Sequence, residues 1–156
     1  MTEPSHLAVQ RSEAVSPETG CAELRICIRV PTDLEVVEEA VDLVARHCLA
    51  SGVSAQQARF NLRVALCEAL SNAIIYGNGL DPRKSVDIEV SLADQLVTVR
   101  VTDEGSGFDP DTVPEPSLPD GIEATTGRGL FLIRRLVDRV YFNNRGNAIC
   151  MVLRRA

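Results

Sequence analysis

Residues 62–79 read LRVALCEALSNAIIYGNG, and the fold is legible in their spacing. Leu62, Ala65, Leu66, Ala69, Leu70, Ala73 and Ile74 recur at three- and four-residue steps, the mark of a helix with one broad buried face. Glu68 and Asn72 interrupt that pattern four residues apart, so their side chains share one helical face, about a turn from each other. A carboxylate and a carboxamide so placed offer oxygen ligands to Mg2+, or a base for a hydroxyl proton. On their own they are equally a pair of solvated polar residues on a surface helix.

Working outward, the chain before this helix divides in two. Residues 1–20 mix Ser, Thr, Glu, Pro and Ala without period and are expected to form a disordered tail outside the fold. Residues 23–30, ELRICIRV, alternate apolar and polar as a half-buried strand does, and Pro31 ends them. Thr32 or Asp33 then caps a helix whose stripe is Leu34, Val37, Ala40, Val41, Val44 and Ala45, stopped by Gly52. Ser54 caps the approach to the central helix, which ends at the turn-prone Gly77-Asn78-Gly79.

Downstream, residues 85–92 and 95–102 are predicted as a hairpin about Ala93-Asp94, with Val97, Val99 and Val101 facing the core. The second strand runs into Asp103-Glu104-Gly105-Ser106-Gly107-Phe108. Residues 109–126 carry four prolines among acidic residues, a broken stretch longer than ordinary connections and expected to be a lid. Thr126-Gly127-Arg128-Gly129 opens a helix over 130–137, where glycines let the backbone approach a ligand and free N–H groups favour a phosphate. Two strands, 139–143 and 148–154, close the chain around the turn at 144–147.

Composition narrows the function. The 156 residues suffice for one domain with its own core. A net charge of −6 works against a nucleic-acid backbone or an anionic membrane, and 4% aromatics without Trp work against base stacking. Five scattered cysteines without a C-x-x-C pair point to reduced, mostly buried thiols rather than a zinc or redox site. With neither a signal peptide nor an apolar run near the ~20 residues of a membrane span, the expected location is the cytoplasm.

Each motif alone is weak: a D-x-G-x-G after a strand is most often a tight turn, and G-R-G-L says less still. In this order and on these elements, the three together resemble the GHKL ATPase superfamily of gyrase, Hsp90, histidine kinases and MutL. The closer resemblance is to the bacterial anti-sigma-factor serine/threonine kinases. CEALSNAIIYG matches the N box, VTDEGSGFDP the first glycine box and TGRGLFLIRRLVD the second. The resemblance implies an α+β fold, the two-layer α/β sandwich of the Bergerat ATP-binding type, with a mixed sheet, helices on one face and one kinase domain over residues 21–156.

It also implies site roles. Asn72 would be the Mg2+ ligand and Glu68 the general base; Asp103 would accept the adenine amino group, with Gly105 and Gly107 letting the backbone pass the base. Gly127 and Gly129 would present amides to the phosphates of ATP. Some relatives carry a basic residue in the lid, yet no Lys or Arg lies between Phe108 and Gly127, which leaves Arg128 as the nearest cation. The implied function is that of an ATP-dependent anti-sigma factor that phosphorylates a serine of a STAS-type anti-anti-sigma protein and sequesters a sigma factor, as a homodimer. The alternative is a nucleotide-responsive regulator that binds its partner without catalysis. A histidine kinase core is disfavoured, because no phospho-acceptor helix pair precedes the domain and no transducer follows it.

Overall fold

A computed structural model describes residues 7–15, 17, 20–107 and 125–156. Among the described residues six strands form one sheet in the order β1-β2-β3-β4-β6-β5: β1 (Ala8–Val15), β2 (Ala22–Pro31), β3 (Ser85–Leu92), β4 (Leu96–Thr102), β5 (Arg139–Phe142) and β6 (Ala148–Arg154). Helices α1 (Val37–Ala50), α2 (Leu62–Asn72) and α3 (Thr125–Leu136) are buried against one face of it. The α+β two-layer arrangement expected from sequence is therefore present.

Alternation in the strands produces the layer. Ile26, Ile28 and Val30 of β2 stand opposite Val90, Ile88 and Val86 of β3, and Val97 and Val99 of β4 stand opposite Leu153 and Met151 of β6. All ten are buried, and the helices cover them with Val41, Val44, Leu62, Leu66, Leu70 and Ile133. Fully burying each such side chain contributes about 1.5–3 kcal/mol, so this single interface holds both layers together.

Caps set the helix limits where the sequence places them. The Asp33 carboxylate accepts from the Glu35 N–H at 2.9 Å, starting a short 3-10 turn, Leu34–Val36, that leads into α1. Beyond α1, Gly52 takes a positive φ of 88° while the Val53 N–H reaches back to the Cys48 carbonyl at 3.0 Å, closing the helix C-terminus. Ser54 Oγ accepts from the Gln57 N–H at 3.2 Å.

Three expectations need correction. The sheet is not mixed, since every strand pair is antiparallel. The crossover through α3 brings β5 back running as β4 does, but β6 folds between them, so the two parallel strands never share hydrogen bonds. Within the stretch expected to be a disordered tail, Ala8–Val15 forms β1, paired with β2 from Ala8↔Arg29 to Val15↔Ala22, and Leu7 is buried in the core. β1 is exposed along nearly its whole length, so its side chains carry no period of burial and its backbone alone makes the ladder. The thiols are less buried than expected: Cys48 is buried, Cys67 and Cys150 are half-buried, and Cys21 and Cys27 are exposed.

Candidate functional site

Glu68 and Asn72 project from α2 toward the first turns of α3. The two helices run antiparallel: Asn61, before α2, donates to the Leu136 carbonyl at the far end of α3 at 3.0 Å, while Gly129 near its start meets Glu68 and Asn72. A Cβ on Gly129 would stand 2.9 Å from Glu68 Oε2 and 3.1 Å from Asn72 Nδ2. Gly129 therefore provides room for the two polar groups. Both are half-buried, and no described residue hydrogen-bonds either side chain.

α2 belongs to a longer rod with a widened π turn at each end, Gln57–Asn61 and Ala73–Gly77. In the second, the Asn78 N–H skips a residue to bond the Ala73 carbonyl at 2.8 Å. This turn delivers Gly77, five residues beyond Asn72, to the end of β4. There a Cβ on Gly77 would overlap the carboxylate of Asp103. The rod thus carries Glu68, Asn72 and the seat of Asp103 in sequence along one side.

Asp103 is fixed by its surroundings. Its N–H donates to the Asn147 carbonyl at 2.9 Å and its carbonyl accepts from Asn147 Nδ2 at 3.0 Å, while Oδ1 accepts the Gly105 N–H at 2.8 Å. Burial pushes its carboxyl above the ordinary carboxylate pKa, against the opposing pull of the Gly105 N–H and of Lys84 and Arg145. A half-buried carboxylate with one hydrogen bond retains acceptor capacity.

Gly105 and Gly107 approach protein backbone closely. A Cβ on Gly105 would overlap the Gly77 carbonyl; one on Gly107, whose φ is +82°, would overlap the Arg145 carbonyl. The D-x-G-x-G turn is thus threaded between the end of the helical rod and the β5–β6 turn. α3 begins at Thr125, five residues earlier than the 130–137 expected, so Gly127 and Gly129 lie inside its first turns. Gly127 falls among the opening positions whose N–H groups lack an intrahelical acceptor, and Gly129 sits about a turn in. The side chain of Arg128 lies outside the described residues, as do residues 109–124 of the lid expected over 109–126, whose last two residues, Thr125 and Thr126, belong to α3.

Sequence reasoning missed the brace behind this site. Asn78, only 2% exposed, donates to Thr32 Oγ1 and to the Ser85 carbonyl, both at 3.0 Å, and accepts from the Glu104 N–H at 2.8 Å. Glu104 in turn accepts from the Ser85 N–H at 2.5 Å. Asn78 reads as a turn residue between two glycines, and its partners up to 46 residues away leave no local signal.

Comparison with known proteins adds the decisive observation: the family model for the histidine kinase-like ATPase domain matches residues 30–153. The chain belongs to the histidine kinase-like ATPase domain family. That match spans the sheet from the end of β2 onward, the central helix and both glycine turns. The chain is also similar to the serine-protein kinase RsbW of Oceanobacillus iheyensis, 26% identical over 98 residues, or 59% of this chain and 62% of that relative. The similarity thus covers less than two thirds of the relative's length. Both comparisons agree with the GHKL resemblance carried by the three motifs. Among the described residues no helix is long and apolar enough to cross a membrane.

Proposed function

We propose that the chain is an ATP-dependent anti-sigma factor with protein-serine kinase activity, which phosphorylates an anti-anti-sigma protein of the STAS type and sequesters a sigma factor in the cytoplasm as a homodimer. The observation that carries this reading is the meeting of Glu68, Asn72 and Gly129 between α2 and α3, on the rod that also seats Asp103. The family match supports nucleotide binding, and the similarity to a serine-protein kinase supports the acceptor.

The residues fit Mg2+ and ATP. One carboxamide and one carboxylate in a cradle that a single Cβ would crowd suit a small cation that keeps most of its shell for phosphate and water. Bound Mg2+-ATP supplies the electrophilic γ-phosphoryl group, with its charge shared by the metal. Asn72 would hold the cation through a neutral oxygen, adding no repulsion to the polyphosphate. Glu68 would accept the proton of the serine hydroxyl as that oxygen bonds to the γ-phosphorus and the bond from phosphorus to the β–γ bridging oxygen breaks, leaving ADP. Asp103 would accept the adenine amino group and the N–H of Gly127 would donate to a phosphate, with Arg128 as the proposed cation for the polyphosphate.

A reading without catalysis is favoured by one feature, the absence of Lys or Arg from residues 109–126. Incubation with γ-labelled ATP and a STAS-type antagonist separates the two. Label moving to an antagonist serine, and lost in Glu68→Ala, is the expected result; partner binding with no transfer in the unmodified protein would contradict the kinase.

A further inference from the structure

Charge is distributed unevenly along the chain. The net charge is −6, yet residues 129–156 carry six arginines and a single acidic residue, Asp138. The ion pairs among the described residues all lie within residues 23–89, so none of these six arginines has a described carboxylate at pairing distance. Arg155 is held by the Ala93 and Ser51 carbonyls at 2.8 and 2.7 Å, Arg135 lies over the Phe131 ring, and Arg145 stands near Asp103 at the far end of β5. Arg134, Arg139 and Arg154 are exposed, and they lie together.

The end of α3 and the open edge of β5 enclose a groove of about 400 Å3, lined by Arg134, Val137, Asp138, Arg139, Val140 and Tyr141. β5 pairs with β6 on one side, and no described strand covers the other. Val140 stands opposite the core residue Met151, on the helix side, whereas Arg139 and Tyr141 point to the other face, so the groove wraps the edge. Asn143 bonds Ala148 across the pair, and alternation then turns the N–H and C=O of Val140 to the open side. Arg154 shares the outward face of Arg139, two residues beyond Val152, which is opposite Arg139. The Tyr141 hydroxyl accepts from Arg139 Nη1 at 3.0 Å and orders that guanidinium along the edge. The one carboxylate in the groove, Asp138, is engaged by backbone, accepting the Arg154 N–H at 2.6 Å.

We propose that this groove binds an acidic, extended segment of a partner protein, with its carboxylates on Arg134, Arg139 and Arg154 and its apolar residues against Val137, Val140 and the Tyr141 ring. Guanidinium groups take carboxylates through paired hydrogen bonds, and an open edge takes extended backbone. A lone phosphate would leave the valine floor uncovered. A nucleic acid or an anionic bilayer would set its charge against the acidic remainder of the surface, whereas a short segment meets only the arginines. The groove lies at the end of α3 opposite Gly129, so the docking does not rest on the nucleotide reading above.

Fluorescence anisotropy of a dye-labelled peptide alternating glutamate with valine, titrated with the full chain at low salt, tests this. Saturable binding is expected, weakened roughly tenfold by Arg134→Glu and by Arg139→Glu, and weakened by added salt. Arg11→Glu makes the same charge change on β1, at the opposite edge of the sheet, and is expected to bind as the unmodified protein does. Circular dichroism of each variant confirms that it folds, and ATP is expected not to displace the peptide. No binding at low salt, an equal loss in Arg11→Glu, or equal binding of a peptide with glutamine in place of glutamate would overturn the site. Displacement by ATP would move the peptide to the nucleotide site and overturn it as well. Tighter capture of a DNA oligonucleotide or of phosphatidylserine vesicles by the same arginines would overturn the protein partner.

Discussion

At Gly129 the missing side chain is what lets a carboxylate and a carboxamide from α2 lie against α3. Alanine there is favoured by helix propensity by about 0.5–1 kcal/mol, yet its Cβ would stand 2.9 Å from Glu68 Oε2. Gly129→Ala is therefore expected to leave the melting temperature unchanged or raised. Phosphoryl transfer should fall by roughly 10–100-fold, because Glu68 is pushed off its line. Transfer at the unmodified rate would show that Glu68 works elsewhere. Asp103 makes the same trade. Burial raises its folded pKa above the unfolded value of 3.8, so the unfolded chain gives up this proton first as pH rises. Stability is lost through the window from 3.8 up to the folded pKa and stays lower above it. Asp103→Asn should then melt higher than the unmodified protein at neutral pH, converge with it in acid, and lose selectivity for adenine nucleotides. A lower melting point at neutral pH would contradict the sign.

Among the elements, the rod from Gln57 to Gly77 was largely legible. Its apolar period, Ser54 at its start and Gly77-Asn78-Gly79 at its end are all local signals, and the structure uses each. The π turns were not legible, since one extra residue per turn barely disturbs a three-and-four pattern. The D-x-G-x-G turn was legible as a turn, but its neighbours were not, because Gly77 and Arg145 lie 28 and 38 residues from the glycines they touch. Gly105→Ala sets a methyl group against a backbone carbonyl that cannot rotate away. The expected cost is about 1–3 kcal/mol, read as a lower urea midpoint at unchanged slope. An unchanged midpoint would mean that the turn and the rod are not locked together.

Across the whole molecule, core-facing strands announced themselves by alternation, and the hairpin of β3 and β4 follows directly from it. β1 did not, because a strand exposed on both faces carries its instruction in backbone groups rather than in side-chain period. The antiparallel sheet was likewise hidden: the return of β6 between β4 and β5 is decided by packing over the whole chain. What the assembled fold does is set the helix motif against both glycine motifs, Gly129 beside Glu68 and Asn72, and Gly77 beside Asp103. Isothermal titration of ATP into the protein, with and without Mg2+, tests that convergence most directly. Expected is a magnesium-dependent heat that persists in Glu68→Ala and is abolished in Asn72→Ala. No heat with Mg2+ present, or equal binding by Asn72→Ala, would contradict it.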